Sequence, residues 1–123
     1  MKPLFWIGSS RDDLRALPQE VRDEAGFSLY LAQQGDKALN AVPLMGFGGT
    51  KVLEVVIDHN RNPYRAVYTV RFAKAVYVLH VFQKKSKRGI ATPKPEMDLI
   101  ERRLAAAERD YAARFEQPVR RVP

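Results

Sequence analysis

Two runs decide the fold: Tyr64-Arg65-Ala66-Val67-Tyr68-Thr69-Val70-Arg71-Phe72 and, after Ala73-Lys74, Ala75-Val76-Tyr77-Val78-Leu79-His80-Val81-Phe82. Both are rich in β-branched and aromatic residues, and the joint is too short for a crossover, so an antiparallel hairpin is expected. In the first run Arg65, Val67, Thr69 and Arg71 share one face, and Tyr64, Ala66, Tyr68, Val70 and Phe72 the other. This alternation predicts that the Tyr68 face packs against the first long helix and the last one, leaving the Arg65 face open. Arg65 and Arg71 then have two readings: ion pairs with Glu54 or Asp58 on the adjacent strand, or a concave basic face. In the second run Val76, Val78, His80 and Phe82 fall on one face, where His80 reads as a core histidine or as a proton carrier.

Upstream, Lys2 to Ile7 reads as a first strand closed by Gly8. Ser9 and Ser10 can cap a helix whose dipole suits Asp12 and Asp13. Leu14, Leu17, Val21, Ala25, Leu29 and Ala32 recur at three- and four-residue spacings, a buried helical stripe. Pro18 divides it into a short helix and a longer one that Gly35 ends. Residues 36–51, with Pro43 and Gly46, Gly48 and Gly49, read as a loop or at most a helical turn. Gly46-Phe47-Gly48-Gly49-Thr50-Lys51 lacks the spacing of a phosphate loop. Val52 to Asp58 is a strand and Asn60 to Pro63 a turn.

Downstream, Gln83 to Ala91 is polar and basic. Thr92 and Pro93 can open a last helix, whose apolar stripe is Met97, Ile100, Leu104, Ala107, Tyr111 and Phe115. The element order is α+β, with helices segregated from a mostly antiparallel sheet. Residues 1–115 read as a single domain and 116–123 as a flexible tail.

The charge is uneven. The net charge is +7, but residues 1–60 carry −2 and residues 61–123 carry +9. The second half is built to meet something anionic. Its densest point is Lys84-Lys85-Ser86-Lys87-Arg88, either a solvated basic loop or a phosphate-binding surface. Cysteine is absent, which excludes disulfides, thiolate zinc sites, Fe–S clusters and cysteine nucleophiles. Two histidines this far apart make a poor zinc site, so no metal or cofactor is expected. No apolar run reaches the length of a membrane span, and a cytoplasmic protein is expected.

Three elements together resemble the RelE/ParE toxin superfamily, in its HigB-like phage-associated branch. They are Tyr64-Arg65-Ala66-Val67-Tyr68, then Val78-Leu79-His80-Val81-Phe82-Gln83-Lys84-Lys85-Ser86, then Thr92-Pro93. The resemblance runs from about Phe5 to Tyr111 and implies a small domain with helices on one side of a curved sheet. It also implies a type II toxin–antitoxin toxin that cuts mRNA on the ribosome through attack of the ribose 2′-hydroxyl. Its partner would be a helix-turn-helix antitoxin, in a complex that can extend to higher-order oligomers. By position, the resemblance carries catalytic roles to Arg65, Lys84 and Lys85, with His80 a further proton carrier. Arg71, Lys87 and Arg88 extend the RNA-binding surface. Arg65 and Lys85 read as outside the core, so replacing either is expected to cost no more than about 0.5 kcal/mol of stability. Where RelE has a functional tyrosine near its final helix, this chain has none between Tyr77 and Tyr111. Two alternatives stay open: a ParE-like DNA gyrase inhibitor, and a non-catalytic nucleic-acid-binding domain.

Overall fold

The computed structural model describes residues 1–84 and 92–116. The chain runs β1 (Leu4–Trp6), α1 (Ser10–Arg15), α2 (Gln19–Gln33), β2 (Ala41–Pro43), β3 (Val52–His59), β4 (Asn62–Thr69), β5 (Val76–Gln83) and α3 (Lys94–Phe115). One mixed sheet has the order β1-β5-β4-β3-β2. Only β1 is parallel to its neighbour, because α1 and α2 carry the chain across the sheet between its outer strands. The expected hairpin is β4–β5, antiparallel. A second hairpin, β3–β4, turns on Asn60 and Arg61, both at positive φ, the geometry of a tight two-residue turn.

The helices take both faces of the sheet. Val21, Ala25, Leu29 and Ala32 of α2, with Leu14 of α1, pack on Val55, Ile57, Tyr64, Ala66, Tyr68, Val76 and Val78. Ile100, Leu104, Ala107 and Tyr111 of α3 pack on Val52, Val67, Tyr77 and Leu79 across the opposite face. The expectation that both long helices cover the Tyr68 face is therefore corrected. Tyr68 is fully buried on the side covered by α1 and α2, and α3 roofs the face that carries Arg65 and Val67. Apolar residues on both sides of β4 and β5 demand this, since each face must be removed from water. Tyr68 Oη finds no hydrogen-bond partner among the described residues, and burial pushes its pKa up to about 12.

A β-bulge changes the reading of β5. Val67 pairs with His80 but Tyr68 pairs with Val78, so Leu79 is an extra residue in β5. Strict alternation would put His80 and Phe82 beside Val76 and Val78. The bulge instead turns Leu79 and His80 together toward α3, and Phe82 follows. Val81 consequently joins the α2 side.

Several boundaries also differ. The strand expected to reach Phe72 ends at Thr69, and residues 36–51 contain the edge strand β2 and a single 3-10 turn at Gly48–Thr50. The edge at β2 is closed to further pairing. Ala41 N–H donates to Ala38 O, Ala41 O accepts from Lys37 Nζ, and Pro43 has no N–H. Residues 117–123, which hold nearly all of the expected tail, lie outside the described residues.

Candidate nucleic-acid interface

On the α3 face, two rows cross the sheet. Glu54, Val67 and His80 stand opposite one another in the first; Val56, Arg65 and Phe82 stand opposite in the second. Arg65 reaches diagonally to Glu54. Its Nε lies 2.7 Å from Glu54 Oε1 but out of line with the N–H direction, so two charges attract without a directed hydrogen bond. Arg65 Nη1 donates to Tyr64 O at 2.9 Å. The other Glu54 oxygen, Oε2, accepts from Thr92 Oγ1 at 3.1 Å. The two charged side chains are 12% and 9% exposed, so most of their hydration is replaced by each other and by Thr92.

This cluster forms the floor of a cleft of about 580 Å³. Val42 and Pro43 of β2, Leu44 and Met45 after it, Val56 of β3 and Met97 of α3 make the walls. The loop after β2 comes close to Met97 because Gly46 has no side chain: a Cβ there would lie 3.2 Å from Met97 Cε, and φ is +99°. Thr92, expected as a helix cap, gives its hydroxyl to Glu54 instead. Pro93 takes the cap position and Pro95 fits the first turn, where its missing N–H costs nothing.

The first turns of α3 are tied to the bulge. His80 Nε2 is hydrogen-bonded to Glu96, and Arg103 Nη1 lies 3.3 Å from His80 Nδ1. Arginine can only donate, so Nδ1 is the acceptor and Nε2 carries the proton toward Glu96. Arg103 also donates to Leu79 O, the bulge carbonyl, at 3.0 Å and to Ser9 Oγ at 3.1 Å. Gly8 permits this: its φ is +58°, and a Cβ would sit 2.8 Å from Arg103 Nε. His80 additionally stacks on Phe82, with ring centroids 4.6 Å apart.

The sequence-predicted residues divide accordingly. Arg65 lies in the cleft, through the ion-pair reading with Glu54. His80 is one row away, held at both ring nitrogens. Lys84 follows β5 directly, is buried, and its N–H donates to Pro63 O at 2.8 Å. Lys85, Lys87 and Arg88 lie outside the described residues. Arg71 lies beyond the end of β4, paired with Glu108. Glu108 is 12 residues along α3 from Glu96, so about 18 Å separates the two attachment points. Glu54, Thr92, Met45 and Met97 were not read as site residues. Glu54, a carboxylate inside a strand of Val and Ile, was the available signal.

A second polar cluster holds the far half of α3. Asp110 accepts from Tyr77 Oη at 2.5 Å and from Arg114 Nε at 2.6 Å. The Tyr77 hydrogen bond, aided by Arg114, holds the Asp110 carboxyl below its ordinary value, while burial and Asp110 push the Tyr77 hydroxyl up. Among the described residues, no group of three or more His, Asp or Glu side chains could hold a metal ion. No helix among them is long and apolar enough to cross a membrane.

Residues 12–105 match the family model of the phage-derived protein Gp49-like proteins (DUF891). The chain belongs to the Gp49-like family. This is a family of RelE/HigB-like toxins, and the α+β architecture of the Gp49-like chain agrees with a small RelE-like domain. Membership is consistent with a toxin of a toxin–antitoxin pair and with an antitoxin partner. Among curated proteins, no match to the chain is found.

Proposed function

We propose that this Gp49-like protein is the toxin of a type II toxin–antitoxin pair, and that it cleaves mRNA on the ribosome in the cleft at Arg65. The observation that carries this reading is a cation and a carboxylate, Arg65 and Glu54, on the floor of a cleft with apolar walls. Attack by a ribose 2′-hydroxyl needs both. Glu54 accepts the hydroxyl proton, and O2′ attacks the adjacent phosphorus. The P–O5′ bond breaks, leaving a 2′,3′-cyclic phosphate on one fragment and a 5′-hydroxyl, once protonated, on the other. Arg65 binds the non-bridging oxygens, whose charge grows in the phosphorane. A phosphate arriving at Arg65 competes with Glu54 for the guanidinium, which frees the carboxylate for the hydroxyl.

Lys84, directly after β5, and Lys85, the next residue in sequence, are assigned to the leaving oxygen and the phosphate. Lys87 and Arg88 are assigned to docking on RNA. His80 has both nitrogens engaged, and we assign it to anchoring α3. The partner is a helix-turn-helix antitoxin, and no cofactor enters the reaction.

The test is primer extension on a defined mRNA translated by purified ribosomes. Wild-type protein should produce discrete cuts, and Glu54→Gln and Arg65→Lys should each slow cutting by about 10²–10³. Expression alone should arrest growth, with rescue by the neighbouring gene. Growth arrest with intact mRNA and inhibited gyrase would replace this reading with the ParE-like one. RNA binding without cleavage would leave a non-catalytic binding domain.

A further inference from the structure

The cleft is larger and more apolar than a phosphate site requires. At about 580 Å³ it has the volume of a small-molecule pocket. Its polar groups, Glu54, Arg65 and Thr92, sit together on the floor, and its walls include Val56, Met45 and Met97. A ligand that fits has a flat or apolar body and one anionic end. We infer, resting on the RNA-cleaving reading above, that the cleft is a nucleotide slot in which Met45 and Met97 contact the face of an unstacked base whose phosphate lies on Arg65.

Three observations support this. First, Met45, 83% exposed, lines the same cleft as the exposed Val42, so the apolar surface there is continuous rather than a single scattered side chain. Second, the approach of Gly46 to Met97 brings the loop after β2 against the first turn of α3. The two methionines thus come from separate elements that meet at one cleft. Thioethers are polarisable and adapt to aromatic faces. Third, the polar groups of the floor are already assigned: Thr92 gives its hydroxyl to Glu54, Glu54 takes the 2′-hydroxyl proton and Arg65 holds the phosphate. Few remain to read a base edge. The slot therefore grips any base by its face, and sequence preference must come from elsewhere. An aliphatic protein side chain would suit the apolar walls alone, without using the cation on the floor.

The chain has three methionines, so methyl-labelled methionine gives three signals. Met1 lies at Lys2, Gln33 and Lys74, in a different hollow, and serves as the internal control. The probe is a 2′-O-methyl trinucleotide, which cannot be cut because its nucleophile is blocked. A second trinucleotide of the same backbone lacks the central base. The full trinucleotide should shift the Met45 and Met97 methyls by ring current and leave Met1 in place, while the abasic one should not. Met45→Ala should weaken binding of the full trinucleotide about tenfold, the scale of losing one base contact, and Met45→Leu should restore much of it. Met45 is exposed, so these variants should fold.

Binding that depends on Arg65 but leaves both methyls unmoved would refute the slot and leave the RNA reading standing. Equal shifts with both probes would refute it too, since the base would not be the cause. No binding of either probe would refute the slot, and the ribosomal cleavage assay above would decide the RNA reading separately. Loss of binding to the neighbouring gene's product on Met45→Ala, with RNA binding intact, would make the cleft a protein anchor and overturn the proposal.

Discussion

Replacing Arg65 should damage the fold as well as the chemistry. The sequence alone suggests a cost within about 0.5 kcal/mol, but the structure replaces that expectation. Arg65 and Glu54 have each lost about nine-tenths of their exposure, and their charges lie 2.7 Å apart. Arg65→Ala leaves the Glu54 carboxylate largely buried without its cation, with Thr92 still donating to it. Breaking a buried pair in this way costs about 3 kcal/mol, the low end of the range because one side opens to the cleft. For a domain of this size that lowers Tm by roughly 12 °C. The double variant Glu54→Ala/Arg65→Ala removes both charges and should be less destabilised than the two single changes added together. A coupling energy on the order of 1–3 kcal/mol is expected from urea unfolding of the wild type, both single variants and the double. Additive costs below about 0.5 kcal/mol each would show that water still screens the pair, and the buried-pair reasoning would fall. Activity lost in Arg65→Ala must accordingly be counted per folded molecule.

Other perturbations test separate parts of the structure. Tyr68→Phe removes a hydroxyl that is fully buried and unpartnered among the described residues, so stability should rise by about 1 kcal/mol in denaturant melts; a fall would mean the hydroxyl is satisfied. Asp110 has its carboxyl pKa lowered by Tyr77 and Arg114, so it binds protons less readily folded than unfolded. That stability is present above about pH 4 and drains away as pH falls through the depressed folded value; Tm between pH 2 and 5 should slope less in Tyr77→Phe than in wild type. An equal slope would remove Asp110 from the acid response. The antitoxin should associate more slowly as ionic strength rises, because residues 61–123 carry +9; a flat rate would contradict charge steering.

The long stripes were legible. Leu14, Val21, Ala25, Leu29 and Ala32 are all buried, as are Ile100, Leu104, Ala107 and Tyr111. Their periods reflect a helix lying on a sheet, and nothing else competes with that signal. The strand β2 was not legible, because three residues ending in Pro43 carry no period and are made a strand by β3 alone. The face of α3 was misread for a subtler reason. Alternation gives two faces to β4 and β5 but cannot say which helix covers which. Both faces of this hairpin are apolar enough to demand a cover, so α2 and α3 divide them. Glu54 was noticed as a partner for Arg65 and missed as a site residue, since its role depends on a cleft built by β2 and α3.

The bulge at Leu79 links these misreadings to the site. With strict alternation, His80 would point into the α2 core, where neither Glu96 nor Arg103 could reach it. One inserted residue brings His80 to the α3 face and frees Leu79 O, and Arg103 binds both. Glu96 then fixes the first turn of α3 to β5 through His80. That turn carries Met97, and two residues before it Thr92 holds Glu54. Glu54 in turn sets the guanidinium of Arg65 in the cleft. A bulge leaves no mark in hydrophobic periodicity beyond a change of phase, and a run as uniformly apolar as Val76 to Phe82 hides the phase. The residue that breaks the run is His80, and it marks the point where the strand changes face and the last helix is tied down.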